Sequence, residues 1–228
     1  MAETPLQKRA HALNHLGAPE LLLATPTGEF SAHALTSAED RLLAGLRARE
    51  EGALAALFER YGAHVQRVLV RTLGVDAELA DLVQEVFVQV LQSVHQVEEA
   101  ERLKAWITSV AVFTARGWIR ARQRRRWLSF FDPPSHAEPA APHADDATRE
   151  AARSTYRVLE RLSVDLRLPF ALRYIDGMEL TEVAAACEVS LATIKRRLAK
   201  AEALFVRLAQ REPALRPWLE GGRRWSAT

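Results

Sequence analysis

Between Leu191 and Ala201 the chain reads LATIKRRLAKA, which gathers Thr193, Lys195, Arg196, Arg197 and Lys200 into about two helical turns. Four cations at that spacing repel one another unless anions neutralise them. Ammonium and guanidinium groups donate to phosphate oxygens and to base edges, so these residue types suit contact with duplex nucleic acid. The preceding stretch, LTEVAAACEVS, supplies Val183, Ala184 and Ala186, small enough for a second helix to approach closely. Leu191, Ile194 and Leu198 would pack on them, and Ser190 is a suitable N-cap for the second helix. The pattern predicts a helix-turn-helix whose cationic second member lies in a major groove.

A second cationic string precedes it. Residues 116–126 hold Arg116, Arg120, Arg122, Arg124, Arg125 and Arg126 and no acid. Trp106, Phe113, Trp118 and Trp127 lie nearby, so cations for phosphates adjoin flat rings for unstacked bases, as in single-strand binding. Core packing is the alternative for each ring, above all for Trp106. Gly117, inside this helix, costs about 1 kcal/mol relative to Ala.

The opposite charge collects upstream. DAELADLVQE carries Asp76, Glu78, Asp81 and Glu85 and no base. In the helix it begins, Leu79, Leu82, Val83, Val86, Phe87, Val90 and Val94 form one apolar stripe. Asp81, Gln84, Glu85, Val88 and Gln92 gather opposite it. A solvated surface is the simplest reading of such a face. An apolar Val88 amid amides and carboxylates, with no Lys or Arg interleaved, favours a docking surface for a basic partner. The formal net charge is only +2, so the segregation of charge, not its sum, implies two kinds of partner.

These strings need helices to position them. Leu, Ala, Arg and Glu dominate and period-two β-branched runs are scarce, which predicts an all-α fold. Helices are expected at about 38–48, 51–73, 76–94 and 99–127, with Ser37 as the first N-cap, and again from about Thr148 to Ala209 with breaks at Asp176–Gly177 and Glu188–Ser190. Two small helical domains, 38–128 and 151–211, are then joined by a flexible Pro-rich linker at 129–150, which includes SFFDPPSHAEPAAPHADD. Residues 1–37 read as an extension and 212–228 as a loose tail. The single cysteine, Cys187, excludes an internal disulfide and is expected as a small buried hydrophobe. No run reaches the roughly 18 apolar residues of a membrane span, and no secretion signal is visible, so a cytoplasmic location is expected.

With LFERYGAHVQRVLVRTLGVDAELADLVQEVFVQVLQ, RLKAWITSVAVFTARGWIRARQRRR and LRLPFALRYIDGMELTEVAAACEVSLATIKRRLAKA in this order, the chain resembles bacterial RNA polymerase sigma factors of the extracytoplasmic-function (ECF) class of the sigma-70 family. The resemblance spans about Ser37 to Gln210. It implies that the first domain is region 2, which binds core polymerase and melts and reads the minus-ten element. The second domain is then region 4, which reads the minus-thirty-five element. Asp81, Gln84 and Glu85 would dock on the coiled coil of the polymerase's largest subunit. The segment His95 to Trp106 would capture a flipped minus-ten base, and the arginines from Arg116 to Arg126 would hold the duplex and the melted edge. Thr193, Lys195, Arg196, Arg197 and Lys200 would contact the minus-thirty-five DNA. Core RNA polymerase, promoter DNA and an anti-sigma factor are the implied partners. No cofactor, small-molecule substrate or membrane insertion is expected.

Five positions depart from the family pattern. Phe113 and Gly117 stand where Asn and Asp are usual, Cys187–Glu188 replaces Leu-Gly in the turn, and Ala192 replaces a Gly. Two other functions compete. A helix-turn-helix regulator acting without polymerase would need neither the acidic face nor the arginine-aromatic helix. A metal enzyme would rest on His11 and His15, four apart, but no Glu lies between them and no third ligand is evident. No catalytic or metal residue is therefore assigned.

Overall fold

Leu57, Tyr61, Val65, Val68 and Leu69 recur at three- and four-residue steps and make one buried stripe along α2 (Ala53–Leu73). The computed structural model describes the backbone of residues 32–128 and 146–220, with the side chains of 38–125 and 146–219, and contains no strand among them. Three more helices close on that stripe: α1 (Ala32–Ala48), α3 (Leu79–Ser93) and α4 (Leu103–Leu128). They contribute Leu42, Leu43 and Leu46 from α1, Leu82, Val86, Phe87 and Val90 from α3, and Leu103, Ile107, Ala111 and Ile119 from α4. Each fully buried large apolar side chain is worth about 1.5–3 kcal/mol. Short 3-10 turns, Val94–Gln96 and Ala100–Arg102, carry the chain from α3 to α4. Arg47 of α1 secures that crossing by donating to the carbonyls of Val97 and Glu98.

The second unit comprises α5 (Asp146–Glu160), α6 (Val164–Phe170), α7 (Leu180–Ala186), α8 (Leu191–Ala209) and α9 (Arg216–Glu220). Pro169 lies inside α6, where it has no N–H to give, and the helix widens directly afterwards into a π-helical turn, Ala171–Ile175. Phe170 stacks on Phe205 of α8, with ring centroids 4.7 Å apart, and the Tyr174 hydroxyl donates to the Glu202 carboxylate. Burial and that carboxylate push the Tyr174 phenol well above its ordinary range.

Several expected boundaries move. Helix α1 starts at Ala32, so Ser37 is internal to it and the extension ends earlier than 37. Residues 146–150, expected in the linker, begin α5, and Glu150 accepts from Arg157 at 2.7 Å; residues 129–145 lie outside the described part. The expected loose tail starts with structure instead. Pro213–Leu215 forms a 3-10 turn, Leu215 is buried, and Glu212 pairs with Arg161 at 3.2 Å and Arg157 at 3.7 Å.

The two units touch, and their buried side chains form one continuous cluster. The junction is the C-terminus of α2, whose last carbonyls have no partner within the helix. Gly74 N–H donates to Val70 O at 2.8 Å. The Tyr156 hydroxyl of α5 donates to the Val70 and Arg71 carbonyls, at 3.0 and 3.3 Å. Arg167 of α6, only 3% exposed, donates Nε to Thr72 O and Nη2 to Leu73 O, both at 3.2 Å. A cation there also meets the negative end of the helix dipole. Arg67 of α2 pairs with Asp176 at 3.2 Å. Burial raises the Asp176 carboxyl, while Arg67 and Arg71 pull it back down.

Gly74 has φ +84° and ψ −176°, a conformation essentially confined to glycine, and an added Cβ would meet the Tyr156 ring at 3.1 Å. Gly74→Ala should therefore lower the unfolding free energy by about 2 kcal/mol or more, read from urea denaturation. His64 gives a pH prediction. Its Nδ1 accepts from Arg67 at 3.1 Å, and its Nε2 is 2.7 Å from Thr108 Oγ1, which donates onward to Lys104 O. That wiring requires the neutral ring, and burial, then Arg67 and Lys104, lower its pKa to about 4. The unfolded chain thus binds a proton at higher pH than the folded one. The stabilisation is complete above about pH 6.5 and declines as pH falls towards 4. His64→Gln should flatten the slope of stability against pH across that window.

Candidate nucleic-acid interface

The cations of the predicted recognition helix do not share one fate. Ser190 caps α8 as expected, its Oγ accepting from Thr193 N at 3.2 Å, and the Thr193 hydroxyl lies 2.9 Å from the same oxygen. Ile194 and Leu198 are buried, and Val183, Ala184 and Ala186 of α7 are buried too. Leu191, expected to join them, is instead 37% exposed. Lys195, Arg196 and Lys200 are exposed on one side of α8. Arg197 turns back, half-buried, with Nη2 3.6 Å from Asp165 of α6. The exposed stripe of α8 is thus Leu191, Ala192, Lys195, Arg196, Ala199 and Lys200, small or cationic after its first residue.

The turn holding α7 against α8 carries strain. Glu188 adopts φ +53°, where the sequence had a non-glycine at a position that favours glycine. It is held by Glu188 N donating to Ala185 O and Val189 N to Ala184 O, at 3.0 and 3.1 Å. Cys187 beside it is buried, and its thiol is pushed up to about 11 by burial, which fits a small hydrophobe and not a nucleophile.

The arginine string divides as well. Arg122 Nη1 lies 2.8 Å from Asp76 Oδ2, both largely buried, and its guanidinium stacks over the Trp118 ring at 4.8 Å. Trp118 is buried, its Nε1 donating to Glu78 Oε2 at 2.8 Å, and Arg125 stands 3.8 Å from the same carboxylate. Half of the acidic string therefore anchors α4 to the start of α3, a role that charge segregation in the sequence did not suggest. Arg120 and Arg124 are exposed, and Arg116 is partly covered beside Phe113, its guanidinium 5.0 Å from that ring. Trp106 is half-buried against the core. The side chains of Arg126 and Trp127 lie outside the described residues, as do His11 and His15. Of the expected stacking rings, Phe113 alone among the described side chains reaches 36% exposure; Trp118 belongs to the core.

On α3, Asp81, Gln84 and Glu85 are exposed, and among the described residues neither carboxylate enters an ion pair; Glu85 accepts from Gln89 at 3.0 Å. Val88 is 51% exposed beside them. Phe58 of α2, half exposed, lies against Phe87 with centroids 5.0 Å apart, and Leu54 and Leu91 are exposed as well. The periodicity of α3 could not reveal Phe58 or Leu54, because they belong to another helix. No group of His, Cys, Asp and Glu among the described residues could hold a metal, and no described helix is long and apolar enough to cross a membrane.

Two family models match the chain. The family model for Sigma-70 region 2 matches residues 57–125, and that for Sigma-70, region 4 matches residues 152–204. The chain is 29% identical over 144 residues to the ECF RNA polymerase sigma factor SigX of Bacillus subtilis, covering 61% of this chain and 74% of that protein. It is 25% identical over 161 residues to the ECF RNA polymerase sigma-E factor of Escherichia coli, covering 67% and 84%. In fold it is similar to CnrH, solved in complex with the cytosolic domain of CnrY, with a TM-score of 0.52, 20% identity and coverage of 76% and 97%. It is also similar to the sigma factor RpoE of Bartonella quintana, solved with the anti-sigma factor NepR, with a TM-score of 0.50, 21% identity and coverage of 78% and 99%.

Gly117 is exposed between Arg116 and Arg120, and a Cβ added there meets nothing within 4 Å. Nothing inside the protein requires a glycine, so Gly117→Ala should stabilise the chain by about 1 kcal/mol in urea denaturation. If a nucleic-acid backbone approaches α4 closely at this point, the same substitution should weaken DNA binding while raising stability.

Proposed function

The chain belongs to the ECF class of the sigma-70 family, and from that premise we propose that it binds core RNA polymerase and directs it to start transcription at specific promoters. Its named relatives are sigma factors, not enzymes. In this reading α3 docks on the polymerase through Asp81, Gln84 and Glu85, with Val88 adding apolar contact. Exposed carboxylates that enter no ion pair among the described residues would steer the chain to a basic surface and fix its register there. The observation that carries the reading is the coexistence, in one chain, of this anionic face on α3 and the cationic stripe on α8.

The remaining roles follow the same physics. Trp106, Arg116, Arg120, Arg124, Arg125 and Arg126 serve the minus-ten element, with Arg122 holding α4 in place through Asp76. Trapping a flipped base repays an unstacking cost of a few kcal/mol. Lys195, Arg196 and Lys200 contact minus-thirty-five DNA, with Thr193 and Arg197 setting the pose of α8 from its N-terminal half. Holding two weakly bound elements with one chain raises the effective concentration of the second. The proposed site of action is the cytoplasm, where core polymerase and DNA are, and an anti-sigma factor is the proposed regulator, as the Bartonella relative has one. A regulator that worked without polymerase would leave the α3 face unexplained.

Run-off transcription with purified core polymerase on promoter fragments tests the whole reading: specific initiation is expected, and duplex binding without initiation would point to a simple regulator. Asp81→Arg should weaken polymerase binding at least tenfold while leaving minus-thirty-five duplex binding intact. Arg196→Ala combined with Lys200→Ala should abolish specific upstream binding and make the log–log salt dependence shallower by about 2, while polymerase binding is retained.

A further inference from the structure

The exposed stripe of α8 does not stop at Lys200. Ala203, Arg207 and Gln210 continue it, and Arg211 follows in the turn after the helix, all of them exposed. At about 100° per residue, Lys200, Ala203, Arg207 and Gln210 stay within about 40° of Arg196, so one line of side chains runs the length of the helix. Arg216 of α9 joins its far end, where its Nε donates to the Gln210 carbonyl at 3.4 Å.

The acids of this segment are withdrawn from that line. Between Leu191 and Arg211 no exposed position carries a carboxylate. Glu202 is half-buried and accepts from the Tyr174 hydroxyl. Glu212 is buried, held by Arg161 at 3.2 Å and Arg157 at 3.7 Å. Among the described residues Arg207, Arg211 and Arg216 enter no ion pair, so their charge is left for something outside the chain. Length decides what that is. With 19 residues α8 is about 28 Å long, whereas a major groove is about 12 Å wide. When Arg196 and Lys200 are at base edges, Arg207 stands about 17 Å further along the axis than Arg196, past the width of the groove. The border of a groove is a phosphate strand, with one charge about every 3.4 Å along it.

We propose that Arg207, Arg211 and Arg216 form a second, sequence-independent DNA site, a clamp on the phosphate backbone of the duplex that flanks the minus-thirty-five element. The site lies beyond residue 204, where the match to region 4 ends. Guanidinium forks suit it, because they donate two parallel hydrogen bonds to one phosphate. Arg216, tied to the last turn of α8, is held in place before DNA arrives. Phosphate contacts carry no sequence information, so the clamp adds affinity and fixes the register of α8 while Lys195, Arg196 and Lys200 do the reading. An acidic protein surface would also complement three arginines, but their continuity with the DNA-facing line of α8 favours phosphate. The proposal rests on the assignment of that line to minus-thirty-five DNA.

The test titrates the full chain against a labelled promoter duplex with long flanks on both sides of the element, and against the same duplex trimmed to the element from either side. Arg207→Ala combined with Arg211→Ala should weaken binding to the long duplex about tenfold and make the log–log salt dependence shallower by about 2, with helicity unchanged. The preference for promoter over scrambled duplex should stay as in wild type. Trimming one of the two flanks should cost wild type a similar factor and the double variant almost nothing. Arg207→Lys combined with Arg211→Lys, which keeps both charges, should recover most of the affinity. Equal losses on long and trimmed duplexes, undiminished binding by the Ala variant, or a changed promoter preference overturns the clamp. Transcription lost with duplex binding and salt slope intact assigns the arginines to an acidic protein and overturns it as well. If wild type does not prefer promoter over scrambled duplex, the minus-thirty-five reading fails, and the salt slopes on scrambled duplex still decide whether these arginines meet phosphate.

Discussion

The last carbonyls of an α-helix have no partner within it, and at the end of α2 that deficit is met by side chains from the other half of the molecule. Four consecutive carbonyls, a glycine-only backbone bend and a buried arginine make a junction whose parts depend on one another. Without Gly74 the Tyr156 ring has no seat, and without the fork of Arg167 two carbonyls near the core lose their donors. The placement of α6 and α7 against α2 and α4 follows from this contact.

Charge in this protein is of two kinds. Asp76 and Glu78 are held by Arg122, Trp118 and Arg125, so they fix the angle between α3 and α4 and face no partner. One turn further on, Asp81, Gln84 and Glu85 point away from the protein. On α8 the same partition places Arg197 towards Asp165 and leaves Lys195, Arg196 and Lys200 outside. A buried or paired charge positions a helix, and an exposed one is available to polymerase or DNA. The candidate functional faces are what remains once the internal pairs are subtracted.

Backbone exceptions sit where the helix-turn-helix must be held at a fixed angle. Glu188 occupies a left-handed conformation that costs about 1–2 kcal/mol, and the π-helical turn after Pro169 re-aims Tyr174 and Asp176 towards α8 and α2. The surrounding hydrogen bonds over-determine both sites, so the irregularities are stable and give α7 and α8 their relative pose.

Local pattern was sufficient to read the helices, the Ser190 cap, the exposed Val88, the buried Cys187 and the order of two helical units, because each depends on neighbours within a few residues. Helix ends shifted where a cap was misjudged, as at Ser37, or where tertiary pairs ordered a segment of loose composition, as Glu212 does for the tail. Only the tertiary structure decided which charges pair internally, which rings reach solvent and whether the two units touch. Those outcomes depend on residues 40 to 95 positions apart meeting in space: Glu78 with Trp118, Tyr156 with Val70, Arg167 with Thr72. Periodicity along one helix carries no record of what another helix brings to it, and so the family could be recognised from the sequence while the contact between the two units could not.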